Sequence, residues 1–297
     1  MVRLSLSQGF LMRTHAIVFQ FSFGLSLLTF ASGCFQERNK SLEAMNKGVE
    51  LGRQKLYDSA LTELKMATTI DPTNAAAYYN AGVLYKEQKK WSDAATQFGN
   101  ALKYDGDNPA LHYELGAALL EDKHIADAKA EFEKALSEDP KLYKVHFRLA
   151  LALQSEEKWK EADTEYRKAI EANPRFLPAY IHLGDLYLDN DYDKEAAQVF
   201  QNAILANDLD GEAHQGLAEA LQKQKQYDEA IKEFKKAVDS NPELYLAGYN
   251  IGHTYKLIGD KKNAKEYLTA FVTRYAGKAG PELTKAANDE IYALDAP

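Results

Sequence analysis

Residues 211–244 read GEAHQGLAEALQKQKQYDEAIKEFKKAVDSNPEL. Small residues stand at Ala218, Ala230 and Ala237, a large one at Phe234, and Pro242 falls near the end. Ala230 has counterparts at Ala60, Ala94, Ala128, Ala162, Ala196 and Ala264, each 34 residues from the last without insertion. A fixed period of this length marks a repeat architecture and takes precedence over other assignments. With Ser41 as repeat position 1, position 8 reads Gly48, Gly82, Gly116, Ala150, Gly184, Ala218, Gly252. Position 24 reads Leu64, Phe98, Phe132, Tyr166, Phe200, Phe234, Leu268, and position 27 is alanine until Phe271. Position 32 is Pro72, Pro140, Pro174 and Pro242, with Gly106, Asp208 and Ala276 as exceptions.

This pattern is that of a helix hairpin. The small residue at position 8 lets helix A approach helix B, and the large residue at position 24 fills the gap between neighbours. Proline near position 32 ends one hairpin and starts the next turn. Asp58, Ser92 and Asp228 stand where helix B needs an N-cap. Glu, Lys, Gln and Ala dominate elsewhere, as helix propensity favours. After Gly277 and Gly280, Pro281 opens a further helical stretch whose Leu283, Ala287, Ile291 and Leu294 share one face.

The repeated residues resemble the signature of the tetratricopeptide repeat family, from Ser41 to about Lys278 in seven in-register copies. The resemblance implies an all-α fold: a right-handed superhelical solenoid of seven hairpins over 41–278. Residues 279–297 are then a C-terminal capping helix and tail. Phe271, in place of the small residue, sits in a terminal repeat, where departures are expected.

Residues 1–33 differ from the rest. Arg3 and Arg13 precede an uncharged apolar run, Ala16 to Ala31, and Met12 is a plausible start. Sixteen helical residues span about 24 Å, short of the roughly 30 Å of a bilayer core. The run fits a signal-peptide core better than an anchor. Ala31, Ser32 and Gly33 lead to Cys34, the one cysteine of the chain. This order resembles the lipobox of bacterial lipoproteins, which implies removal of 1–33 and acylation of Cys34. Residues 34–40 are then a short tether, and the chain is expected at the exported face of a bacterial inner or outer membrane.

The chain of 297 residues carries 36 bases and 44 acids, a net charge of −8. Removing 1–33 takes Arg3 and Arg13 and leaves −10. An acidic chain without a dense basic run is a poor binder of nucleic acid. A single cysteine excludes an intramolecular disulfide framework.

In the resembled family helix A lines the concave face. The expected peptide-binding groove is Met45, Val49, Tyr79, Val83, Tyr113, Ala117, Phe147, Leu151, Ile181 and Tyr249, from repeat positions 5 and 9. An apolar row suits an amphipathic helix or extended peptide. Asp185, Asp189, Glu212 and Glu219 make the fifth and sixth repeats acidic. The family's carboxylate clamp is incomplete: Lys144 and Arg148 match its basic half, but Tyr79, Val83 and Glu114 replace the rest. His112, His146 and His214, at position 4, read as packing residues. Asp189, Asp191 and Asp193 lack the glycine and closing glutamate of a calcium loop. No catalytic or metal site, cofactor or small-molecule substrate is expected, and the oligomeric state stays open. The expectation is a non-enzymatic scaffold that is lipid-anchored at the envelope and binds a partner protein or peptide. Its tasks include pilotin-like secretin assembly for type IV pili, or recruitment of peptidoglycan hydrolases or outer-membrane assembly factors.

Overall fold

The computed structural model describes residues 35–106, 108–275 and 277–295. The signal segment and Cys34 lie outside the described residues. Among these residues are fifteen helices and no strand. The chain divides into two compact units, one ending at Glu138 and one beginning at Asp139. The first unit holds α1 (35–53), α2 (Tyr57–Ile70), α3 (Ala75–Glu87), α4 (Trp91–Leu102), α5 (Pro109–Glu121) and α6 (Ile125–Glu138). The second holds α7 (Tyr143–Ser155), α8 (Trp159–Ala172), α9 (Leu177–Asp189), α10 (Asp193–Ala206), α11 (Gly211–Lys223) and α12 (Tyr227–Ser240). It continues with α13 (Tyr245–Ile258), α14 (Lys261–Tyr275) and α15 (Pro281–Asp295). Odd-numbered helices up to α13 are the A helices, and each pairs with the B helix that follows it.

Residues 35–40, expected as a short tether, are helical and continuous with α1. Gln36, Glu37, Arg38 and Lys40 are strong helix formers, and α1 behind them supplies the nucleus. The segment therefore rises about 9 Å rather than the roughly 20 Å of an extended chain.

The turn from helix A to helix B is the same in every repeat. Its pivot is left-handed at Lys55, Lys89, Lys123, Glu157, Asp191 and Lys225, with φ of 57 to 67°, and at Gly259, with φ of 88°. In the first turn Leu56 N–H donates to the Leu51 carbonyl (3.0 Å) and Lys55 N–H to that of Gly52 (2.8 Å). This Schellman pattern satisfies carbonyls that a helix end would otherwise leave bare. It also corrects the N-caps expected for helix B. Leu56, Lys90 and Gln226 occupy the cap positions without a side-chain bond, and Asp58, Ser92 and Asp228 lie inside the first turn. There the acids face the positive end of the helix dipole. Side-chain caps serve helix A instead: Asn74, Asn108 and Asp210 accept from the first-turn amides of α3, α5 and α11.

The core follows the repeat. Phe98, Phe132, Tyr166, Phe200 and Phe234 are fully buried, as are the alanines at 60, 94, 128, 162, 196, 230 and 264. Phe200 shows why small residues are required beside it. A Cβ on Gly184 of α9 would stand 2.3 Å from its Cζ, and one on Gly216 of α11 2.3 Å from its Cε1. The ring is thus pinched between the A helices of two consecutive repeats. At the C-terminus α15 lays Leu283, Ala287, Ile291 and Leu294 against Leu268, Phe271 and Tyr275. Phe271, atypical for its repeat position, is the residue that this cap covers.

Candidate functional site

The face expected to bind is built from one device used three times. The aromatic residue at position 5 of helix A leans on the buried aromatic residue at position 24 of its own helix B. Ring centroids are 5.8 Å apart for Tyr79 and Phe98, 6.5 Å for Tyr113 and Phe132, and 5.9 Å for Phe147 and Tyr166, all tilted. The inner ring fixes the outer one, so its free face is presented with little rotamer entropy left to lose.

In the first unit Tyr79 is 36% exposed and Tyr113 half-buried. Met45 is half-buried against the cluster of Ala44, Leu64 and Leu84, and Val83 against that of Ala94 and Phe98. Val49 is half-buried, whereas Ala117 is buried. In the second unit Phe147 is more enclosed. Besides Tyr166 it meets Phe176 (5.2 Å) and His182 (5.3 Å), both edge-on. Leu151 and Ile181 remain half-buried. Tyr249 is drawn under the cap: its hydroxyl donates to Glu290 of α15 (2.8 Å), and its ring stacks on His253 and abuts Phe271. Of the ten expected groove residues, Tyr79 is exposed, Ala117 is buried and the other eight are half-buried, Tyr249 among them with its hydroxyl held by the cap.

The acidic residues of the second unit have a distinct electrostatic character. Burial, then the charges of Glu219, Asp189 and Glu212, push the Asp185 carboxyl up to about 6. Burial also raises Glu219, against the opposing pull of Gln215 and Lys223. Burial and the nearby Arg148 charge lower His182. Neighbouring acids on α9 and α11 thus add to burial in making Asp185 a weaker acid than a free carboxyl. Asp191 and Asp193 face Lys223 at 3.3 and 3.7 Å. Among the described residues no group of three or more His, Cys, Asp or Glu side chains could hold a metal ion. No described helix is long and apolar enough to cross a membrane.

Sequence reading missed a set of triads behind the histidines at position 4. Nδ1 of His112, His146 and His214 donates to Glu131, Glu165 and Glu233, at 2.6 Å in each case. Each glutamate also accepts from a lysine three residues on, Lys134, Lys168 or Lys236, at 2.7 Å. Nε2 of His146 faces the Pro140 carbonyl, and that of His214 the Asp208 carbonyl, both at 3.0 Å. Two acceptors flank the rings of His146 and His214, and in His146 the doubly protonated form serves both. Burial opposes that charge in His146, but the bonds to Glu165 and Pro140 outweigh it and raise its pKa. Burial likewise opposes ionised Glu165, and the bonds from His146 and Lys168 lower its pKa. The signal was present in the sequence as a spacing of 19 from His to Glu and three from Glu to Lys, recurring after 34 and then 68 residues.

Tandem hairpins that seat a buried aromatic residue on small neighbours define a helical-repeat protein. Family profiles described as TPR repeat or tetratricopeptide repeat match residues 53–89, 86–144, 147–204, 211–244 and 249–276. The chain belongs to the tetratricopeptide repeat family. Among curated proteins, none matches this chain. Similar solved structures include a tetratricopeptide repeat protein from Parabacteroides merdae, with 18% identity over 84% of this chain and 99% of that one, at a TM-score of 0.62. YrrB, described as a TPR protein with an unusual peptide-binding site, has 22% identity over 66% and 99%, at 0.54. PilF of Pseudomonas aeruginosa has 16% identity over 87% and 99%, at 0.52. At these identities the likeness shows the fold. The repeats support a protein–protein interaction scaffold, and the family is typically non-catalytic.

Proposed function

We propose that this chain is an exported scaffold, anchored through an acylated Cys34, which grips a segment of a partner protein on the A-helix face of its first three repeats. Tyr79 and Tyr113 carry this reading. Each presents an aromatic face, and each is braced from behind by a buried phenylalanine. Braced aromatic residues make good anchors because binding costs them little ordering. Met45, Val49 and Val83 supply further apolar contact, which suits the apolar side of an amphipathic helix or an extended peptide. The helical segment 35–40 keeps the first repeat near the lipid if Cys34 is acylated.

The test has two parts. Incorporation of labelled palmitate into the full chain, and its loss in Cys34→Ser, reports the anchor. Affinity capture from a solubilised envelope, with Tyr79→Ala/Tyr113→Ala as the control, reports the face. A protein retained by the native chain and lost with a folded variant supports the reading. A secretin in that place would assign the chain to pilus assembly; a peptidoglycan hydrolase or outer-membrane assembly factor would assign it to envelope maintenance. Equal retention by both chains removes the face from consideration.

A further inference from the structure

We propose that the cleft over α13 in the last repeat is a binding pocket for a small aromatic carboxylate. The third, fourth and sixth repeats hold a histidine ring bonded to a glutamate, with a lysine behind it, at positions 4, 23 and 26. In the seventh repeat these positions are Gly248, Tyr267 and Ala270. All three line a cavity of about 320 Å³ between α12, α13 and α14. That volume is at the small end of ligand pockets and equals roughly ten waters of liquid. The second repeat, which has Tyr78, Gln97 and Asn100 instead of the triad, is also open there, with a cavity of about 430 Å³ lined by those three residues. Where the triad is replaced in these two repeats, the cleft stands open.

The pocket over α13 differs from that second cavity in its charges. Lys235 and Arg274 line it with one acid, Asp239, leaving a single net positive charge. Lys235 is held in place: its Nζ is 3.3 Å from the Tyr255 hydroxyl and 4.8 Å from the centre of the Tyr267 ring. The Arg274 guanidinium lies 5.3 Å from the centre of the Tyr275 ring. The remaining lining is apolar and aromatic, with Val238, Ile251 and Phe271. Tyr275 also lines the pocket, is 6% exposed, and has a buried hydroxyl with no hydrogen-bond partner. A buried donor without a partner is uncommon in a native fold.

The occupant follows from what stands in the equivalent place elsewhere. There the cleft holds a planar ring next to a carboxylate. Here both are missing, and the floor is ring-lined: a Cβ on Gly248 would stand 3.2 Å from Tyr275 Cε2 and 3.4 Å from Phe271 Cδ2. An aromatic body packs on such rings at their edges. Its carboxylate pairs with Lys235 and Arg274 as a charge-assisted acceptor. A monoanion matches the net charge of the lining.

The experiment titrates 3-phenylpropionate into the full chain by calorimetry, with 3-phenylpropionamide as the neutral arm. Saturable binding of the acid is expected, with the amide about tenfold weaker, as loss of a charge-assisted bond implies. Gly248→His/Tyr267→Glu/Ala270→Lys rebuilds the triad and should abolish binding while far-UV circular dichroism stays native. Arg274→Gln changes only an exposed side chain and should weaken the acid about tenfold without affecting the amide. No saturable binding, equal binding of acid and amide, or unchanged affinity in Arg274→Gln overturns the proposal. Unchanged affinity in a folded triad variant does so as well.

Discussion

Gly216→Ala puts the packing of the repeat to a direct test. Alanine is the better helix former by about 1 kcal/mol, so on propensity alone α11 should gain. The structure reverses the sign. The added methyl would stand 2.3 Å from both Cε1 and Cζ of Phe200, a ring with no exposed surface. The ring cannot slide towards α9, because the Cβ position of Gly184 is already 2.3 Å from its Cζ on the other side. Overpacking of this kind costs about 1–3 kcal/mol, and a net loss of roughly 1–2 kcal/mol is expected. Urea denaturation followed by circular dichroism gives the change, and hydrogen exchange places it on α9 to α11. Phe200→Leu should be less costly in the Gly216→Ala background than alone, with a coupling of about 1 kcal/mol in a double-mutant cycle. Gly99→Ala in α4 is the control: nothing stands within 4 Å of its Cβ position. It should stabilise by about 0.5–1 kcal/mol. A Gly216→Ala chain that gains stability as Gly99→Ala does would refute the pinched-ring reasoning.

Other outcomes follow from the same structure. Lys89→Gly relieves a left-handed pivot with φ of 57° and should raise stability by about 0.5–1 kcal/mol in the same denaturation series. The raised pKa of His146 means that its contribution is complete below about pH 6.5 and is lost as pH rises through the folded-state value. Melts across this range should show a shallower alkaline decline in Glu165→Gln than in the native chain, and equal slopes would contradict the assigned ion pair. Ending the chain at Lys278 uncovers Leu268, Phe271 and Tyr275; hydrogen exchange should accelerate in α13 and α14 and stay unchanged in α9.

The hairpins were legible because period, small residues and prolines all report the same local constraint, the close approach of helix A to helix B. The turns were less legible. Lys55 and its counterparts take a conformation that propensity assigns to glycine, since closing the hairpin outweighs about 1 kcal/mol of local strain. That turn displaced the expected caps at Asp58, Ser92 and Asp228 into the helix. The helical state of residues 35–40 was not legible from the repeat frame, which begins at Ser41, although helix propensity runs on through them. At the site, repeat position alone selected Tyr249 together with Tyr79, but α15 supplies Glu290 to one and nothing to the other. A non-local partner of this kind leaves no mark in the register of a single repeat. The His–Glu–Lys triads do leave one, and it becomes readable once positions 4, 23 and 26 are compared across repeats.

The most direct measurement is the affinity of a captured partner for the native chain and for Tyr79→Ala/Tyr113→Ala, with both chains melting at comparable temperatures. Both rings lie outside the fully buried Phe98 and Phe132, so the variant should stay folded and lose at least about tenfold in affinity, as anchor residues do. A folded variant with native affinity would contradict the claim that this face is where the scaffold holds its partner.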